Sequence, residues 1–444
     1  MSGCSRPAFS ASAGTSTSVK LLIFGSAASV LVTSWAIAGP ERLCRIIQTL
    51  IWGFPLIAPG IIDPQLLSCL MIVYGDCRFE ATADMLMDSL RRCAAAIDPN
   101  DLDGIRALLI RAGQLEQAIS DFDSTPDAVA AAERTTDAAA AAFLAACAQS
   151  QLELPMPRFG TEDALNHLRS ALQSPGRFTH APLSVKIPEG FEFYALFPEQ
   201  YCHSAIQWSA RNPGVDRNRA VLVIGIRSIG TSLSALVAAT LKAAGWQTER
   251  FTVRPAGPPF ARTVALPSAP VPNARHALIV DEGPGMSGSS LAAVAQALVE
   301  SGFKPERISF LPGHDREPGP EASADIRRWW AAIPRHVTLL EKVRWNGLTL
   351  TESLAARSGG WSGAKTRLHD LEDLSGGLWR NKMYRSELEW PAVAVNFERL
   401  KYRCTNPRGA SVLWKFAGLG AFWRGMENQA KVSFGRIGER VAQN

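Results

Sequence analysis

The fold is decided by Ala277-Leu278-Ile279-Val280-Asp281-Glu282-Gly283-Pro284-Gly285-Met286-Ser287-Gly288-Ser289-Ser290-Leu291. Four consecutive apolar residues lack the alternation of a half-exposed strand, so they read as a strand buried on both faces within a parallel sheet. Two acids follow at its C-terminal end, where open α/β sheets bind ligands. Glycines and serines then lead into a helix expected over Ser290 to Ser301, closed by Gly302. Hydroxyls and backbone N–H groups at a helix start suit a phosphate. Adjacent carboxylates are costly to bury unless a cation or a hydroxyl-rich ligand meets them. The plainer alternative is an exposed acidic turn before a well-capped helix.

Upstream lies a second unit of the same texture. Ala220 to Gly225 is a continuous apolar run, Ile224-Gly225-Ile226-Arg227-Ser228-Ile229-Gly230-Thr231-Ser232 reads as a loop, and Ser232 to Ala244 reads as a helix ended by Gly245. Glycine at each end lets the backbone turn sharply and present donors to an anion. Arg227, Ser228, Gly230 and Thr231 are the candidate binding residues there. A tightly packed βα connection would look the same when taken alone.

Strands are also expected at Tyr194 to Phe197, Thr248 to Val253, Arg307 to Leu311 and Val337 to Glu341, with a helix over Pro198 to Arg211. Pro255 to Pro272 holds six prolines. Strands alternating with helices define an α/β fold with a parallel sheet.

Before this core, Ala83 to Ile97, Leu102 to Ile119, Asp127 to Gln151 and Glu162 to Leu172 lack internal proline, and several open on polar or acidic caps. They form a helical module. Beyond Leu348 the chain is rich in Gly, Trp and Arg, and Lys401 to Arg403 with Val412 to Phe416 reads as a β-hairpin. The division expected is therefore 1–62, a helical module over 63–175, the parallel-sheet core over 176–345, and a smaller mixed region over 346–444.

Residues 375–444 carry twelve basic against five acidic residues, a local +7 within a net charge of +5. Irregularly spaced tryptophans there suit packing better than base stacking, so nucleic acid is not expected as a partner. Eight cysteines show no CxxC pair, which excludes a zinc ribbon, a dithiol redox site and a secreted disulfide scaffold.

Leu21 to Gly39 is uncharged and follows Lys20, and Ile46 to Ile62 is a second uncharged run. They suit a signal peptide, an anchor or a membrane hairpin, or translated sequence upstream of the true start. Both runs are rich in Gly, Ser, Thr or Pro, so a cytoplasmic location is expected, with membrane association through residues 21–62 as the alternative.

The acid-and-serine loop resembles the ribose-phosphate signature of type I phosphoribosyltransferases: four apolar residues, two acids, a linker, then Ser287-Gly288-Ser289. The first loop resembles the family's pyrophosphate loop, and Pro255 to Pro272 lies where the family has a mobile hood. The match spans about Phe191 to Glu341. Five residues separate Glu282 from Gly288 where the family has four.

The resemblance implies phosphoribosyl pyrophosphate as substrate, an unidentified acceptor and magnesium carried by the substrate. Asp281 and Glu282 would be the catalytic carboxylates that steady the ribose, with Asp281 placed to touch the metal. Ser287, Gly288, Ser289 and Ser290 would hold the 5′-phosphate. Arg227, Arg254 and Arg262 would support the diphosphate, and a homo-oligomer is expected. The competing reading keeps the fold in a non-catalytic sensor of phosphoribosyl pyrophosphate or a nucleotide that regulates a partner.

Overall fold

The unbroken apolar runs do form a parallel sheet. The computed structural model describes residues 17–24, 33–37 and, apart from short gaps, 77–419. Strands β1 (Val221–Ile226), β2 (Thr248–Val253), β3 (His276–Val280) and β4 (Ile308–Leu311) lie in the order β2-β1-β3-β4, every neighbour parallel. β1, β3 and β4 are buried along their whole length. The edge strand β2 is half-exposed, and this is why its sequence alternates.

The longer helices of this unit include α1 (Ala83–Ala96), α2 (Leu102–Asp121), α3 (Pro126–Gln149), α4 (Thr161–Gln173), α5 (Pro198–Arg211), α6 (Ile229–Ala243), α7 (Ser289–Glu300) and α8 (Ala324–Ala332). α6 packs against α2, α3 and α5. α7 lies on the opposite face, where Leu291, Val294 and Leu298 meet Leu222, Ile224, Ile279, Phe310 and the α8 residue Trp330. Alternate residues of one strand point to opposite faces, so Val223 and Leu278 back onto the α6 side. The connection after β1 runs toward β2, while that after β3 runs toward β4. The order therefore reverses between β1 and β3, which is the switch point where open α/β sheets hold ligands.

The described residues 77–353 form one compact unit, so the helical module shares this unit with the sheet. One core runs from Leu90, Leu108 and Phe143 to Leu236 of α6 and Cys202 of α5. Two buried ion clusters tie the layers. Arg250 of β2 grips Glu116 through two nitrogens, at 2.9 and 3.1 Å, and Asp137 at 2.8 Å. Arg106 of α2 meets Glu199 of α5 at 2.5 Å, and Trp345 Nε1 donates to the same carboxylate at 3.0 Å. Cys147 and Cys202 are buried free thiols.

A second unit contains a five-stranded sheet in the order Leu371–Asp373, Lys401–Thr405, Ser411–Phe416, Thr17–Phe24, Thr33–Ile37. The expected hairpin is present, antiparallel with Arg403 opposite Leu413. The apolar run from Leu21 supplies strands, with Thr17–Phe24 parallel to Ser411–Phe416. The run Ile46 to Ile62 lies outside the described residues. Among the described residues, no helix is long and apolar enough to cross a membrane.

Three expectations are corrected. Tyr194 to Phe197 is a turn rather than a strand, because Ala195 adopts φ 53° after the short helix Glu189–Glu192. Val337 to Glu341 does not extend the sheet. Arg335 makes one parallel bridge to Phe310, and Thr338 is then captured by Gln200 and Ser204 of α5. Helix α6 begins at Ile229, three residues earlier than expected, which shortens the loop after β1 to a tight turn.

Candidate functional site

The C-terminal ends of β1 and β3 meet in direct backbone contact. A Cβ on Gly230 would lie 2.5 Å from the carbonyl oxygen of Val280, and one on Gly225 would run into the Gly230 carbonyl. Glycine at both positions is what lets the two turns abut. Ser228 closes the first turn at φ 131°, a conformation that costs a side chain-bearing residue of order 1–3 kcal/mol.

β3 delivers Asp281 and Glu282 into this junction. Their backbone is pinned: Tyr201 Oη donates to the Asp281 carbonyl at 2.7 Å, and the Gly313 amide to the Glu282 carbonyl at 2.8 Å. The Gly190 amide bonds the Glu282 carboxylate, and a Cβ at Gly190 would come within 3.0 Å of Glu282 Oε2. Both acids are half-buried. Burial pushes the Asp281 carboxyl up to about 7, against the Glu282 amide, Lys186 and Arg254. Burial, with the nearby charges of Glu189 and Asp281, pushes Glu282 up to about 8. An acidic cluster of this kind favours a cation or hydroxyl donors above it. Among the described residues, no group of three or more His, Cys, Asp or Glu is arranged to enclose a metal ion.

The serine loop turns tightly at Gly288, φ 68°, whose amide bonds the Pro284 carbonyl at 2.5 Å. Ser287 Oγ donates to Ser289 Oγ at 2.9 Å and accepts the Ser289 amide at 3.2 Å. Ser287 and Ser289 are buried and shape the turn, while Ser290 is half-exposed in the first turn of α7, where amides have no intrahelical acceptor. The segment after β4 lies against this loop: the Gly319 amide bonds the Gly285 carbonyl at 2.9 Å, and Pro318 and Ile326 contact Gly288.

Around the first turn the candidates separate. Gly230 and Thr231 belong to α6 rather than to a loop; Thr231 is fully buried and its Oγ1 has no hydrogen-bond partner. Arg227 and Arg254 come together on Asp121, the last residue of α2. Arg254 is fixed rather than carried on a mobile hood, because it also donates to the Arg227 carbonyl at 2.6 Å. Arg262 is half-buried and donates locally, to the Gly257 carbonyl, in a turn closed by the bridge between Ala256 and Thr263.

Sequence reasoning did not find Glu189, Gly190, Lys186 or Asp121, which reach the site from distant elements. Asp121 carried a signal: an acid in the last turn of a helix opposes the helix dipole. His314, half-buried, stands over the acid loop, with its Nε2 2.7 Å from where a Gly283 Cβ would be. Burial and Arg316 lower its pKa, so the ring is neutral at pH 7.

Fold and site together define an α/β protein with an acid pair, a serine turn and two arginines at the switch point of its parallel sheet. No family model, curated protein or solved structure matches the chain.

Proposed function

We propose that this site binds phosphoribosyl pyrophosphate and that the protein is a phosphoribosyltransferase-type enzyme. The observation that carries this reading is the abutment of Gly230 and Val280, which brings the turn that carries Arg227 against the strand end that carries the acid pair. A ligand bearing a diphosphate, vicinal hydroxyls and a monophosphate has a complement for each part. Asp281 and Glu282 face the ribose hydroxyls, the first turn of α7 receives the 5′-phosphate, and Arg227 meets the diphosphate. Asp281 and Glu282 are hard oxygen donors that fit magnesium brought by the substrate, which would neutralise charge on the diphosphate.

Reaction at C1 passes through an oxocarbenium-like state. Carboxylates beneath the ribose stabilise that positive charge, and exclusion of water protects it. His314, neutral and facing the acid loop, is the chain's group for receiving a proton from an incoming acceptor. The test is a calorimetric titration with phosphoribosyl pyrophosphate and magnesium, run beside an Asp281→Asn/Glu282→Gln variant. Magnesium-dependent binding weakened at least tenfold in the variant is expected; no magnesium-dependent binding by the parent refutes the reading.

The fixed Arg254 favours a second reading, a non-catalytic sensor of the same ligand. Ligand binding without diphosphate release, across nucleobases and amines as acceptors, selects it.

A further inference from the structure

Two guanidinium groups at the first turn share one carboxylate. Asp121 Oδ1 accepts from Arg254 Nε at 3.1 Å, its Oδ2 pairs with Arg254 Nη2, and Gln117 Nε2 donates to Oδ2 at 2.7 Å. Arg227 Nε lies 2.8 Å from the same Asp121 Oδ1, so the two guanidinium groups compete for one oxygen. The cluster keeps an excess positive charge. The Asp121 carboxylate thus stands between two arginines, as a phosphoryl oxygen pair would.

Apart from the Gln117 amide, nothing in α2 favours an acid there. Asp121 is the final residue of the helix, the last turn holds no basic residue, and the helix dipole disfavours negative charge at this end. Against burial, which raises it, the hydrogen bond and charge of Arg254, the Gln117 amide and the charge of Arg227 hold its pKa below the ordinary range.

We propose that Asp121 is a resident counter-anion that competes with ligand for Arg227 and Arg254, and so sets the specificity of the site for a diphosphate over a single phosphate. This rests on the phosphoribosyl pyrophosphate reading. An anion of low charge gains too little to replace a carboxylate already held by two cations and Gln117. A diphosphate, with more charge and more acceptor oxygens, takes Arg227 and loosens the end of α2.

The test uses the full chain, with inorganic pyrophosphate, inorganic phosphate and ribose 5-phosphate as probes in calorimetry. Asp121→Asn is expected to bind pyrophosphate at least tenfold more tightly and to gain measurable phosphate binding. Adding Arg227→Gln is expected to abolish both gains. Unchanged or weaker pyrophosphate binding by Asp121→Asn, with its thermal midpoint retained, makes the cluster merely structural and overturns the proposal. Should that variant not fold, hydrogen exchange on the parent decides: faster exchange at residues 117–122 under saturating pyrophosphate supports displacement, and protection there overturns it. If ribose 5-phosphate binds while pyrophosphate binds neither form, this inference fails and the functional reading stands. If neither probe binds either form, both fail.

Discussion

Gly230 and Val280 hold the two turns together, since any side chain at 230 would collide with the Val280 carbonyl oxygen at 2.5 Å. The obstacle is backbone within the central strand β3, so it cannot swing aside as a side-chain tip would. Gly230→Ala is therefore expected to destabilise the protein by about 1–3 kcal/mol, the range for overpacking a well-filled interior. It should also weaken ribose 5-phosphate binding. Urea unfolding monitored by tryptophan fluorescence checks the first; a Gly230→Ala protein as stable as the parent shows that the turns do not abut.

The acid pair makes a statement about pH. Both folded-state carboxyls lie above their ordinary values, near 7 for Asp281 and 8 for Glu282, so between about pH 4 and 8 the folded state binds more protons than the unfolded one. Stability from this pair is then present at low pH and lost as pH rises through that window. The thermal midpoint of the ligand-free protein is expected to fall between pH 6 and pH 8.5, and the Asp281→Asn/Glu282→Gln variant to flatten this dependence. Equal slopes in the two proteins would remove the acid pair as its source.

Arg250 is buried and held by Glu116 and Asp137 from the helices α2 and α3. Glu116→Gln leaves this guanidinium with one bonded carboxylate, the half-exposed Asp137, and with an amide that can offer only one acceptor. Loss of one partner of a buried pair costs about 3–5 kcal/mol. A cooperative unfolding transition shifted by that amount is expected, since helices and sheet share one core. A helical signal that melts separately from the rest would contradict it.

The sheet was legible because burial on both faces writes itself as a continuous apolar run: β1 and β3 were found to within one or two residues from composition alone. Helix limits were also close; Pro198 to Arg211 matches α5. What failed was decided by long-range partners. Thr338 leaves the sheet for hydrogen bonds with α5, more than 130 residues away in sequence. Thr231 was expected on a loop because Ser228 terminates the turn with a backbone angle that sequence does not encode. The acid pair was visible at its strand end, whereas Glu189 and Lys186, which set its charge environment, belong to elements with no sequence link to it.

His314 provides the last prediction. Its ring stands over Gly283, and its Nδ1 is buried without a hydrogen-bond partner. Burial disfavours the imidazolium and keeps the ring neutral, so an acceptor proton is taken at Nε2, the nitrogen nearest the acid loop. His314→Gln preserves a polar group of similar reach but cannot take a proton at neutral pH. If His314 receives the acceptor's proton, this variant should keep phosphoribosyl pyrophosphate affinity within about twofold. Turnover should fall by roughly 10²–10⁴ with an acceptor that must lose a proton. The acid pair protonates as pH falls below about 8 in parent and variant alike, so the two are compared above pH 8, where the parent ring is neutral. A variant that loses ligand affinity with turnover unaffected would show that His314 shapes the acid loop and does no proton transfer.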